Sequence, residues 1–328
     1  MARGSEVFLT ASIGIVFAKR NYHQACDLLR DADIAMYQAK LQGKSCYQIF
    51  DIQMHTQALQ RLNLENDLRQ ALKRQEFLVY YQPIFDINNQ HLVGFEALVR
   101  WQHPTRSFIC PGDFIPLAEE TGLIVTLDHW ILYTACQQLA AWQTQFSSKL
   151  SLKVSVNLSA QDLRKVSLLQ NIECILAETG LAGNCLTLEI TESMLIDNIT
   201  EVILVLEQLK QLGIQISIDD FGTGYSSLNY LHRLPADNLK IDRSFINQMS
   251  DDNRNYQVVK TIVALSNQLG LAVIAEGIET QQQLQWLQEL ECEFGQGYFF
   301  SQPLAAHEIE TLFFQQSDRI ASSISHRD

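Results

Sequence analysis

The sequence predicts an α/β fold: a TIM-type (β/α)8 barrel with an antiparallel first strand pair, preceded by a small β-α-β fragment. Three observations predict it. From residue 77 onward, short apolar runs alternate with segments of helical periodicity. Eight such strands fit a stretch of roughly 240 residues, close to the usual size of this barrel. Polar residues also recur at one place in each unit, the C-terminal end of the strand, where such barrels carry their active sites. An open doubly wound sheet is the structural alternative.

The elements follow in order. Residues 7–17 read as a strand. Arg3 and the apolar run after it faintly resemble a signal peptide, but Glu6 and the hydroxyls of Thr10 and Ser12 dilute that pattern. Residues 23–41 put Ala25, Leu28, Leu29, Ala32, Ala35 and Met36 on one helical face; Gly43 ends the helix, and Cys46–Phe50 form a short strand. Residues 51–76 read as a helix rich in Gln, Arg and Glu that links this piece to the barrel. Strands 77–87 and 91–101 flank Asn88-Asn89-Gln90, a hairpin signal. Helices are expected at 113–120 and 126–146. Next come strand 152–158, helix 166–179, strand 186–191 and helix 199–212. Strand 214–219 leads into a glycine-containing loop and a short helix. Strand 238–242, helix 253–269, strand 271–276, helix 280–291, strand 293–299 and helix 305–315 complete the series. The parallel strands, as short apolar runs, are expected to be buried on both faces. The expected organisation is a fragment at 1–50, a linker at 51–76, the barrel at 77–315 and a tail at 316–328.

Composition narrows the function classes. A net charge of -13 argues against a DNA or RNA polymer as ligand, which wants a basic face. It leaves room for a small phosphate ligand if divalent cations sit between. Seven cysteines, an odd number without a CxxC pair, read as buried free thiols in a reducing cytoplasm. The eight histidines form no HxH or HExxH pattern, which argues against a histidine zinc site. No apolar run reaches the ~18 residues of a membrane segment.

The strand ends carry Asn157, Glu189, Glu192, Asp219, Asp220, Lys240, Asp242, Glu276 and Gln296. Singly, each has an ordinary reading: a surface ion pair for Glu189 or Glu192, a cap for Asp219-Asp220, a solvated amine for Lys240, a core amide for Gln296. Gathered on one rim, so many charges imply a cation, a ligand or water. Side chains two apart share a strand face, which groups Glu96 with Arg100 and Lys240 with Asp242. Oxygen donors without Cys or His favour Mg²⁺ or Mn²⁺. Adjacent carboxylates such as Asp219-Asp220 can bridge two ions ~3.5–4 Å apart, a recurring clamp for phosphodiester hydrolysis.

Glu96-Ala97-Leu98-Val99-Arg100-Trp101 resembles the signature of the EAL family of cyclic di-GMP phosphodiesterases. The resemblance continues through Phe114–Gly122, Asn157-Leu158-Ser159, Glu189-Ile190-Thr191-Glu192-Ser193, Asp219–Leu228, Lys240-Ile241-Asp242, Ala275–Thr280 and Gln296-Gly297-Tyr298. It implies that Glu96, Asn157, Glu189 and Asp219 hold a first metal ion. Asp219 bridges to a second, beside Asp220 and Glu276. Lys240 or Glu276 activates the attacking water, and the residues do not separate the two. Gln296 sits behind the second ion, Arg100 and Leu98 meet the substrate, and Glu192 anchors the loop 221–228. That loop also hints at a dinucleotide fingerprint, but Ser227 stands where its third glycine belongs. The implied product is linear pGpG, and the implied assembly a homodimer. The rivals are a receptor that binds cyclic di-GMP without cleaving it and a scaffold with an unused acidic set.

The opening residues resemble a second family. Ala11–Ile15 and Leu28–Lys40 are similar to the closing part of a GGDEF diguanylate cyclase domain. The GG[DE]EF turn of that family is absent, so no cyclase activity is implied.

Overall fold

The computed structural model describes residues 10–18, 22, 24–146, 152–195, 199–222, 231–250 and 254–314. The chain divides into two compact units, Met1–Lys73 and Arg74–Asp328. In the first, strand β1 (Ile13–Ile15) pairs in parallel with β2 (Tyr47–Ile49), and helix α1 (Ala25–Leu41) makes the crossover. Helix and strand touch through small residues. A Cβ on Gly14 would lie 2.0 Å from the carbonyl oxygen of Ala32, so only glycine fits there. Helix α2 (Ile52–Ala71) starts where the Asp51 carboxylate accepts the Gln53 N–H at 3.1 Å. The strand expected over 7–17 is confined to three residues, and its first positions lie outside the described ones.

The second unit is a closed eight-stranded barrel. Its staves are β3 (Phe77–Asp86), β4 (His91–His103), β6 (Lys153–Asn157), β7 (Leu186–Thr191), β8 (Gln215–Phe221), β9 (Asn238–Ile241), β10 (Ala272–Ala275) and β11 (Phe294–Gly295). They pair in that order and close through β11 and β3. β3 runs antiparallel to both neighbours, and every other stave contact is parallel. The hairpin that reverses β3 is held by Asp86, whose Oδ1 accepts the N–H groups of Asn88 and Asn89 at 2.9 and 3.0 Å. This closed ring excludes the open doubly wound alternative.

Helices α3 (Pro111–Thr121), α4 (Ile124–Gln145), α6 (Leu168–Thr179), α7 (Ile199–Gln211), α9 (Arg254–Leu269) and α10 (Gln281–Glu289) lie near their expected places. Gly180, at φ 70°, ends α6 in the left-handed conformation and donates its N–H to Leu176. Among the described residues, short elements that were not foreseen include strands β5 (Ser107–Ile109) and β12 (Leu304–Ala305), and helices α5 (Ala160–Leu163) and α8 (Arg243–Asn247). The strand expected over 293–299 is two residues long, whereas the helix expected over 305–315 is present as α11 (Ala306–Ile309) continued by a π-helical turn over Glu310–Phe314. Too few residues of alternating type flank these segments for periodicity to register.

β10 is apolar on both faces, but the staves β6 to β9 are not. Outward positions are Val154 and Val156, Leu186, Leu188 and Ile190, Ile216 and Ile218, and Leu239 and Ile241, all buried. Each contributes ~1.5–3 kcal/mol on leaving water. Inward positions alternate with them and are polar: Ser155 and Asn157, Thr187 and Glu189, Ser217 and Asp219, Asn238 and Lys240. Over β6 to β9 the barrel thus has an apolar jacket and a polar bore lining, while Ile84, Ile274 and Phe294 keep the other side apolar.

The cysteines are free, but Cys26, Cys110 and Cys174 are exposed, against the expectation of burial. Among the described residues no helix is long and apolar enough to cross a membrane.

Candidate active site

The C-terminal ends of the parallel staves bring most of the expected residues together. Strand pairing sets Asn157 beside Glu189 and Thr191 beside Asp219, and Glu96 enters from the middle of β4. Glu276 and Gln296 stand just past β10 and β11. Their backbone N–H groups donate to Ile241 at 3.1 Å and to Ala275 at 2.9 Å.

Lys240 is the hub. Its side chain is wholly buried, and its ammonium lies 2.6 Å from Glu189 Oε2, 2.7 Å from Glu276 Oε1, 3.2 Å from Glu96 Oε2 and 3.3 Å from Asp219 Oδ1. Gln296 ties two of these acids together. Its Nε2 donates to Glu96 Oε2 at 2.6 Å and to Glu276 Oε1 at 3.0 Å. Asn157 turns its Nδ2 toward Glu96 Oε1 at 3.0 Å.

Two neighbouring residues of a strand normally face opposite ways, yet Asp219 and Asp220 both reach this site. The pairing of β8 with β9 explains it. Ile218 pairs with Leu239 and Phe221 with Ile241, so three steps on one strand match two on the other. The extra residue is a β-bulge, and Asp220 takes φ 54° within it. Asp219, Asp220 and Glu276 consequently offer oxygens that all lie within 4.8 Å of one another.

Four carboxylates therefore surround one ammonium, and a fifth, Asp220, stands beside two of them. Burial pushes the Glu276 carboxyl up to about 8, with Asp219 and Glu96 adding to the rise against Lys240. Burial and the same crowding raise Glu189 well above the usual carboxylate range, and raise Asp220 too. Glu96 is lowered, although burial opposes it, because Lys240, Gln296 and Asn157 stabilise its anion. Lys240 is raised despite burial, by Glu189, Glu276, Glu96 and Asp219 in turn. Such an excess of buried negative charge resolves by protonation or by binding cations. The donors are all oxygen, and Glu189 Oε1 is buried with no hydrogen-bond partner among the described residues. Both features fit hard divalent cations.

Beside the ring lies a cavity of about 250 Å³, lined in part by Leu98, Arg100, Glu119, Asp128, Asn157 and Met194. The Arg100 guanidinium is half-buried over the Tyr80 ring, 5.6 Å from its centre, and donates to Val99 O at 2.9 Å. Asp128 is a residue that sequence reading missed. It sits inside a long helix and carries no motif; only its unpaired charge on an apolar face could have flagged it. Glu192 is buried, and its Oε2 accepts the Gly222 N–H at 3.2 Å, at the root of the glycine loop. The rest of that loop, residues 223–228, lies outside the described residues. Asp242 does not join Lys240 on one face; it caps α8, accepting the Ser244 N–H at 3.0 Å.

Comparison with known proteins fits this geometry. Residues 65–303 match the family described as EAL domain. The chain belongs to the EAL family. Residues 1–46 match the description diguanylate cyclase, GGDEF domain, so the GGDEF-like piece precedes the EAL barrel. Two relatives from Pseudomonas aeruginosa are each 42% identical. One is cyclic di-GMP phosphodiesterase NbdA, over 94% of this chain and 39% of its own length. The other is the bifunctional diguanylate cyclase/cyclic di-GMP phosphodiesterase MucR, over 93% and 44%. The chain thus spans under half the length of these relatives. A solved EAL structure, the PaMucR phosphodiesterase in complex with c-di-GMP, superposes with a TM-score of 0.72 at 43% identity, covering 75% of this chain and 99% of that one.

Proposed function

We propose that this EAL barrel hydrolyses cyclic di-GMP to linear pGpG with the help of two Mg²⁺ or Mn²⁺ ions. The observation that carries the reading is the gathering of four carboxylates on one buried ammonium, with a fifth, Asp220, beside Asp219 and Glu276, at the barrel's C-terminal rim. The relatives named for this phosphodiester chemistry support the substrate.

Glu96, Asn157, Glu189 and Asp219 would hold one ion, and Asp219, Asp220 and Glu276 the other. When bound, the ions supply Lewis acidity, easing deprotonation of water and neutralising charge on the phosphate. Lys240 is held protonated by its carboxylates, so it has no lone pair with which to take a proton. It donates, steadying Glu189 and Glu276 and then the phosphate. Glu276, pushed up to about 8 by burial and ionised while cations offset its acidic neighbours, would take the proton of the attacking water as the new phosphorus–oxygen bond forms, and return it to the departing 3′ oxygen as the old one breaks. Gln296 fixes the Oε1 of that acid. Arg100 meets a phosphate or base edge while Leu98 gives an apolar wall, and Glu192 holds the loop by the Gly222 N–H.

Unpaired cysteines support a cytoplasmic setting. The family resemblance supports a homodimer, which sedimentation tests. The deciding experiment incubates purified protein with cyclic di-GMP and Mg²⁺ or Mn²⁺ and separates products by chromatography. Appearance of pGpG supports the reading. Binding without turnover makes the chain a receptor, and neither makes it a scaffold.

A further inference from the structure

We infer that the opposite end of the barrel is a second ligand site, one that takes a small organic carboxylate with an apolar body. A cavity of about 600 Å³ lies there. Its mouth is drawn from strand beginnings: His91 of β4, Lys153 of β6, Gln215 of β8, Asn238 of β9 and Phe294 of β11. Barrels of this type normally fill the space with layers of branched side chains. Here Gly94, Ser155 and Thr187 stand in those places. Gly94 cannot be enlarged, because a Cβ would lie 2.6 Å from the Lys153 carbonyl oxygen. The resulting volume falls within the usual range of small-molecule pockets, ~300–1,000 Å³.

The lining chooses the ligand's chemistry. The Lys153 Nζ donates 2.8 Å to Gln215 Oε1, a neutral acceptor. No carboxylate lines the cavity among the described residues. An ammonium whose partner among the described residues is an amide favours an anionic head, and a carboxylate suits it. Ile84, Ile274 and Phe294 give apolar wall for an alkyl or aryl body. Deeper in the bore, Ser217 Oγ is fully buried without a partner among the described residues, on the same face of β8 as Gln215. It is a polar atom left for an occupant of the bore to satisfy. The site is separate from the proposed hydrolysis and does not depend on it.

Octanoate and octylammonium, equal in chain and opposite in charge, test the inference by calorimetry and saturation-transfer NMR on the full chain with Mg²⁺ saturating the acidic rim. Octanoate should bind and octylammonium should not. Lys153→Met should weaken octanoate by about tenfold or more, the scale of one charged hydrogen bond. Ser155→Leu, which fills the bore, should abolish binding while circular dichroism shows a folded chain. If either variant fails to fold, the contrast between the two probes on the parent chain still decides. Equal binding of both probes overturns the site, as does no octanoate binding or undiminished affinity in a folded Lys153→Met.

Discussion

Lys240 Nζ lies 2.6 Å from Oε2 of Glu189, and neither side chain is exposed to solvent. An isolated buried pair of this kind contributes little net stability, because desolvation offsets attraction. Removing one partner is different, since the stranded charges remain. Lys240→Met should therefore destabilise the metal-free protein by about 3–5 kcal/mol and abolish turnover. Mg²⁺ or Mn²⁺ should restore part of that stability by replacing the lost positive charge. Urea unfolding with and without the ion measures both effects. An unchanged midpoint in Lys240→Met would remove the ammonium from its role as counter-charge.

Glu96 and Asp219 differ in what their loss leaves behind. Glu96→Ala deletes a carboxylate bonded to Asn157 and Gln296 as well as to Lys240. Asp219→Asn keeps size and hydrogen bonding but cannot bridge two cations. Both should lower hydrolysis by at least about 100-fold. Only Glu96→Ala should also loosen Gln296, which a change in thermal stability without metal would register. Near-normal rates in Asp219→Asn would refute the bridging assignment.

The barrel and its rim were legible because each stave repeats one pattern: apolar run, polar end. Three features were not. The polar bore was hidden by treating the parallel strands together as short apolar runs, when Thr187 and Glu189 already alternate with Leu186, Leu188 and Ile190. Period two was in the sequence, but a buried parallel strand is expected to suppress it. The Asp219-Asp220 bulge depends on pairing with β9, a long-range contact that local sequence does not encode. Asp242 looked like a partner of Lys240 by spacing, but the strand ends at Ile241 and helix capping takes its carboxylate instead.

Asp220 holds φ 54° without being glycine, a conformation that costs an L-residue about 1–2 kcal/mol. Such strain persists where function requires it. Asp220→Gly should leave stability unchanged or raise it by up to about 1 kcal/mol, and remove a charge from the crowded rim. It should also weaken divalent cation binding. Asp220→Asn keeps a side chain that tolerates the left-handed region while losing the charge, so it isolates the electrostatic part. Calorimetric titration with Mn²⁺ and urea unfolding on the three proteins give the comparison. If Asp220→Gly binds Mn²⁺ as the parent does, this carboxylate is no ligand.

Asp128 offers a pH test away from the ring. Burial pushes its carboxyl from 3.8 up to about 7, against hydrogen bonds from Ser159 that favour the anion, one of them from the backbone N–H at 3.1 Å. The folded state thus keeps a proton that the unfolded chain has already released. Its stabilising contribution is full below the unfolded value and is lost as pH rises through about 7. Asp128→Asn keeps an oxygen for the Ser159 N–H and never ionises. Its stability relative to the parent should improve by roughly 2–3 kcal/mol between about pH 5 and pH 8. Taking the difference between the two proteins cancels Glu276 and every other titrating group. A difference that stays flat across this range would mean that Asp128 is ionised in the folded protein and that its helix tolerates the buried charge.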